Sequence, residues 1–182
     1  MSSDMLITIS GLPGSGKTTV ARLLADALGL EHVYAGDIFR REAEARGLTL
    51  EEYLRNAEND SSIDRALDEQ IRRRASRGKA VLEGRLAGFM ADQAGAHALK
   101  VFLDASEAVR AARIAGREGG ATDQRLRQIQ AREASDRRRY LEIYGVDYHD
   151  RSRYDLVMET DGRAPEEVAA VIAERARARF GR

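Results

Sequence analysis

Hydrophobic positions along the chain follow two rhythms. In five short stretches they run almost unbroken: Met5 to Ser10, His32 to Ala35, Ala80 to Arg85, Ala98 to Asp104 and Tyr154 to Met158. Between these stretches they recur every three or four residues, as at Val20, Leu23, Leu24 and Leu28, or at Ile63, Leu67 and Ile71. Unbroken apolar runs suit strands covered on both faces, and the longer period suits helices with one buried face. Their alternation predicts an α/β fold, a three-layer sandwich around a five-stranded parallel sheet with the first strand central.

Capping residues set the expected boundaries. Gly29 closes the first helix, and Asp37 stands where an N-cap would follow the second strand. Gly47 breaks residues 43–60 into two short helices, and Thr49 with Glu52 has the spacing of a capping box. A longer helix is expected over 60–77, ended by Gly78; its Asp64 and Asp68 read as surface groups or as partners for a lid, and Arg72 to Arg74 as a solvated face. Ser106 caps a helix running towards Arg117, and another helix spans Gln124 to Tyr144. Pro165 suits the first turn of a last helix that would pack through Val168, Val171 and Ile172, with an arginine-rich tail fraying beyond Ala176.

Composition narrows the classes. The 182 residues suit one domain, including a helical insertion at about 37–77 and a lid at about 115–137. Without cysteine there are no disulfides, thiolate metal sites or cysteine nucleophiles, and a cytoplasmic location is expected. The opening MSSDML lacks a basic segment and no apolar run is long enough to span a bilayer, so neither signal peptide nor membrane partner is expected. Thirty basic residues balance thirty acidic ones, which argues against a nucleic-acid polymer as partner. The three histidines, His32, His97 and His149, are scattered and motivate neither a zinc site nor a catalytic base.

The strongest chemical signal lies where the first strand breaks into the first helix. Gly11, Gly16, Lys17 and Thr18 fit G-x-x-x-x-G-K-[ST], with a strand before and a helix after. Glycines let consecutive N–H groups converge on one anion, and the helix start adds its positive end. The loop Gly11, Leu12, Pro13, Gly14, Ser15, Gly16, Lys17, Thr18 and Thr19 is therefore the candidate ATP cradle. Lys17 would reach the β and γ phosphates and the Thr18 hydroxyl would hold Mg²⁺.

Further groups cluster at the carboxyl edge of the expected sheet, where open α/β sheets place their sites. Asp37 could meet a substrate base or sugar, order a Mg²⁺-bound water, or only cap its helix, and Arg40 could bind phosphate. Glu83 could orient a Mg²⁺-bound water, and Arg85 could grip a substrate phosphate. Arg117 precedes Gly119 and Gly120, a break suited to a mobile flap or to a plain helix-helix loop. Arg132, Asp136 and Arg139 share one helix face, while Arg137 points elsewhere and could reach the nucleotide from the flap side. Arg40, Arg85 and Arg132 exceed what one triphosphate needs, which implies a phosphorylated acceptor.

The segments ITISGLPGSGKTT, AGDIFR, VLEGRLAGF, VFLDAS and REASDRRRYLEIYGVDYHDRSRYDLV together resemble the short cytidylate kinases typical of archaea, within the nucleoside monophosphate kinases of the phosphate-loop class. The resemblance implies an NMP-kinase-like fold, Arg40 and Arg85 on the acceptor phosphate, and Arg132 and Asp136 beside cytosine and phosphate. It departs from the longer bacterial enzymes at Leu86, where they carry an acid, and at Ser135, where they carry an arginine. The implied reaction is Mg²⁺-dependent transfer of the γ phosphate of ATP to CMP or dCMP, with Lys17, Arg117, Arg132 and Arg137 as catalytic groups. No strong general base is needed, because the acceptor oxygen is already anionic. AMP, UMP or a metabolite such as shikimate is the alternative acceptor, and a nucleotide-dependent switch is the alternative from another class. The small size and a moving flap favour a monomer.

Overall fold

The computed structural model describes residues 5–181, so the reading of MSSDML falls, up to Asp4, outside the described residues. Five parallel strands stand in the order β2-β3-β1-β4-β5: β1 Leu6–Gly11, β2 Glu31–Tyr34, β3 Ala80–Glu83, β4 Ala98–Asp104 and β5 Leu156–Glu159. As expected, β1 is central. Leu6, Ile7, Thr8, Ile9 and Ser10 are all fully buried, which is why its sequence does not alternate.

Alternate residues of β1 supply two core layers. Ile7 and Ile9 join Val20 and Leu24 of α1 (Lys17–Leu28) and Ile172 and Phe180 of α8 (Pro165–Phe180). Leu6, on the opposite face, meets Leu82 and the small residues Ala75, Ala87 and Ala91. Burying each large aliphatic side chain of these layers contributes about 1.5–3 kcal/mol relative to exposure. The remaining helices are α2 (Ala35–Ala45), α3 (Leu50–Asn59), α4 (Ser61–Ala75), α5 (Ala87–Gln93), α6 (Glu107–Glu118) and α7 (Thr122–Tyr144). Gly29 ends α1 in the left-handed conformation, and the Thr49–Glu52 capping box is present with both reciprocal bonds.

Several expectations need correcting. The sequence rhythm does not announce α5, whose seven residues are mostly small or apolar and whose polar residues, Asp92 and Gln93, are confined to its last turn. The N-cap of α2 is Tyr34, so Asp37 lies within the first turn rather than capping it. Val171 is 39% exposed, and Ala169, Ala173 and Ala176 pack beside Ile172 instead. The tail does not fray at Ala176: α8 continues to Phe180, which is buried and meets His97 edge-on at 5.1 Å. Asp64 is buried, not a surface group, and pairs with Arg139 of α7. Arg72 and Arg73 form the expected solvated face, each pairing with Glu69, and only Arg74 turns inward, to Glu31 and the Gly78 carbonyl.

Candidate functional site

A cavity of about 690 Å³ opens at the carboxyl edge of the sheet. One end is the loop from Leu12 to Gly16. Its tightness follows from local contacts: a Cβ on Gly11 would lie 2.3 Å from the Leu103 carbonyl oxygen, and one on Gly14 2.7 Å from that of Arg110. Both glycines also have positive φ, at 148° and 82°, so any side chain would strain the backbone as well as clash.

Arg110 is the prop behind this loop. Fully buried on α6, it donates through Nε to Ala105 O at 3.1 Å and through Nη1 to Pro13 O at 3.1 Å, and it pairs with Glu133 of α7. Arg113 clamps the other side, donating to Thr160 Oγ1 at 2.9 Å and Thr160 O at 2.7 Å, while Thr160 Oγ1 donates to Ser15 O at 3.2 Å. Sequence reasoning missed Arg110, Arg113, Glu133 and Thr160. In sequence, Arg110 is only one arginine of a charged helix, and no spacing rule joins it to Pro13.

Lys17 reaches back across the loop, and its Nζ donates to Leu12 O at 2.7 Å. Burial, with Arg85 as the next cause, lowers its pKa to about 7. Thr18 Oγ1 donates to Glu83 Oε1 at 2.6 Å, joining the first turn of α1 to the end of β3. The other carboxylate oxygen of Glu83 lies 2.9 Å from His32 Nε2. His32, set aside on sequence grounds, therefore orients Glu83. The signal was the sheet register alone: β2 pairs with β3 so that His32 lies opposite Val81, two residues from Glu83.

The other end of the cavity is cationic and comes from distant elements. Arg85, from the turn after β3, places Nε 2.9 Å from Asp136 Oδ2, yet neither atom makes a hydrogen bond of acceptable direction. Arg139 donates to Asp64 Oδ2 at 3.0 Å and to Asp136 Oδ1 at 3.1 Å. Arg132 also faces the cavity and has no hydrogen bond or ion pair among the described residues; the charge of nearby Arg85 holds its pKa below the ordinary arginine value. Arg40 lines the cavity with its guanidinium 5.4 Å from the Tyr34 ring centroid. Asp37 lies outside the lining and pairs with Arg40 at 2.7 Å.

Arg117 lines the cavity from the end of α6 and pairs with Glu118. Arg137 is brought to none of this: it is half exposed on α7 and its Nε shares both carboxylate oxygens of Asp147, each at 3.1 Å. Thr19 is exposed but borders the cavity, as do Gly14, Ser15 and Gly16.

These residues fit a bound polyphosphate with its metal. Among the described residues Ser15 Oγ and Arg85 Nε are buried without hydrogen-bond partners; burial, then Arg85, lowers the pKa of Lys17, and Arg85 lowers that of Arg132. No group of three or more His, Cys, Asp or Glu among the described residues could hold a metal by itself. A cation at Thr18 and Glu83 would therefore rely on phosphate oxygens for most of its coordination.

Fold and site together define a phosphate-loop protein of the nucleoside-monophosphate-kinase-like class. The fold is shared with a shikimate kinase from Acinetobacter baumannii solved in complex with shikimate, at TM-score 0.64 and 19% identity over 97% of this chain and 95% of that one. A gluconokinase from Sinorhizobium meliloti matches at TM-score 0.58 and 21% identity over 100% and 94% of the two chains. Sequence goes further than fold. The model of the cytidylate kinase-like family matches residues 6–162, and the chain belongs to that family. The cytidylate kinase of Methanopyrus kandleri is 47% identical over 178 residues, 94% of this chain and 92% of that protein. The cytidylate kinase of Natronomonas pharaonis is 50% identical over 170 residues, 92% and 87% of the two chains.

Proposed function

We propose that this protein transfers the γ phosphate of ATP to CMP or dCMP, giving ADP and CDP or dCDP. The observation that carries the reading is one cavity with a phosphate loop at one end and Arg85, Arg132 and Arg139 at the other, within a chain nearly half identical to cytidylate kinases.

Residues 11–19 hold the donor phosphates, and Lys17 supplies a charge there. Burial lowers its pKa to about 7, and a bound triphosphate would favour the ammonium form because anions raise that value. Thr18 and, through water, Glu83 hold Mg²⁺, which screens the phosphate charge as a Lewis acid. Arg40 and Arg85 bind the acceptor phosphate, and Asp136 keeps Arg85 in place. Arg132, which has no ion-pair partner among the described residues, meets the charge that develops on the moving phosphoryl group. Arg117 closes from the flap beside Gly119 and Gly120. Arg137 acts only if closure releases it from Asp147. Catalysis thus rests on alignment and charge, with no residue acting as a strong base.

In this reading residues 37–77 form the acceptor wall and residues 115–137 the lid of one nucleoside monophosphate kinase domain. The protein works as a monomer in the cytoplasm. The cysteine-free composition supports that setting, and among the described residues no helix is long and apolar enough to cross a membrane.

The test is ADP production from ATP and Mg²⁺ with CMP, dCMP, UMP, AMP or shikimate, against a blank without acceptor. Preferential turnover of CMP and dCMP is expected. Equal rates with and without every acceptor would overturn the reading.

A further inference from the structure

The cavity lining includes four carboxylates: Asp68, Glu83, Glu118 and Asp136. Three already face cationic or imidazole partners. Glu83 is held by His32 and Thr18, Glu118 by Arg117 and Arg125, and Asp136 by Arg85 and Arg139. Asp68 is different. Its Oδ2 accepts a 2.7 Å hydrogen bond from the Tyr144 hydroxyl, and among the described residues it has no ion pair and no bond at Oδ1.

Its position is as informative as its lack of a cation. Asp68 and Ile71 lie three apart on the inner face of α4, and both line the cavity with Leu86, Met90 and Tyr140. Those apolar and aromatic walls suit a flat ring, and Asp68 places a hydrogen-bond acceptor against its rim. Arg139 stands at the same α4–α7 junction, fixed by Asp64 and Asp136. An acceptor beside a donor complements the edge of cytosine, which presents an amino group next to an unprotonated ring nitrogen. Uracil presents a carbonyl next to an N–H, the reverse pattern.

From this arrangement we infer that Asp68 selects cytosine over uracil by accepting a hydrogen bond from the exocyclic amino group of the acceptor base. This deepens the proposed CMP kinase reading and rests on it. Tyr144 is the positioning residue, since its hydroxyl holds Oδ2 and leaves Oδ1 as the carboxylate oxygen for the base. Above about pH 7, where Asp68 is ionised, the carbonyl of uracil would meet the carboxylate, leaving both acceptors without a donor. Sites built to bond a particular polar group reject the analogue lacking it far more strongly than size-based pockets do.

The experiment compares kcat/KM for CMP and UMP in the wild-type protein and in Asp68→Asn, with KM for ATP and the melting temperature measured alongside. An amide can turn its NH₂ towards the uracil carbonyl, so the CMP-to-UMP ratio is expected to fall at least ~tenfold with KM for ATP unchanged. An unchanged ratio, even with both rates reduced, would overturn the inference and leave Asp68 a structural link between α4 and α7. A second arm needs no variant. The wild-type protein is expected to use the monophosphate of 2-pyrimidinone riboside, which lacks the amino group, at least ~tenfold less well than CMP. Equal use would overturn the inference. Absence of CMP turnover by the wild-type protein would instead remove the kinase reading and this inference with it.

Discussion

The two ends of the cavity are built in opposite ways. The end proposed for the donor is local: nine consecutive residues from Gly11 to Thr19 make the loop and the first turn of α1, and distant groups only brace it. The end proposed for the acceptor is assembled from α2, α4, the turn after β3 and α7, and no two of Arg40, Asp68, Arg85 and Asp136 are near in sequence. A local loop can be preformed by backbone geometry. A distributed site depends on how α4 and α7 pack, so its charges answer to tertiary contacts and to movement of those helices.

Substitutions at each end should therefore fail differently. The largest effect is expected for Lys17→Ala, a loss of ~10³-fold or more in kcat with the fold retained, checked by ADP release and circular dichroism. Near-normal turnover would break the assignment of the donor end. Arg110→Ala next removes one partner of a buried ion pair and should cost about 3–5 kcal/mol in urea unfolding. A loss below about 1 kcal/mol would mean that the loop holds its shape without its prop.

Arg85→Ala should lower kcat/KM for CMP by ~10²-fold while KM for ATP changes little. A selective loss of ATP affinity would erase the distinction between the two ends.

The ends also predict opposite dependences of stability on pH. Burial raises Asp68 to about 7 from an ordinary 3.8, so the native state keeps a proton that the unfolded chain has released between those values. Its contribution is present below about pH 4 and is lost as pH rises towards 7. Lys17, lowered to about 7, acts in the other direction: above pH 7 the unfolded chain holds the extra proton, and stability rises towards pH 10. Each limb is expected to amount to about 1–2 kcal/mol once solvent screening is allowed for. Urea unfolding of Asp68→Asn should lose the acid limb and that of Lys17→Met the alkaline limb. Unchanged slopes would show that neither group is as enclosed as the geometry implies.

The smallest effect is expected at the bridge between strands. His32→Gln should reduce kcat by ~tenfold or less and raise the Mg²⁺ concentration needed for half-maximal rate, because Glu83 loses one of its two supports. A change in CMP affinity alone would detach His32 from the donor end.

Sequence legibility follows the same division. Residues 11–19, the five strands and the Thr49–Glu52 cap were readable because each depends on neighbours a few residues away. Helix α5 was not, since seven residues with polar groups only in the last turn are too few to show a period. The continuation of α8 to Phe180 was hidden because arginines dominate the tail, while its anchor, His97, lies 83 positions earlier. The Arg132, Asp136 and Arg139 face was readable from helical spacing, but Asp64 as its buried partner was not.

By itself, the sequence determined the phosphate loop, the alternation of strands and helices, and the surplus of arginines that calls for a second anion. Those are matters of period, backbone freedom and charge, all carried by adjacent residues. Tertiary structure decided which cations remain available and which acids are already engaged: it tied Arg137 to Asp147, paired Arg110 with Glu133, gave Glu83 to His32, and left Asp68 without a cation among the described residues. The reason is electrostatic. A charge inside a protein is set by the few groups within reach and by how much water remains, and only the packed fold brings those groups together.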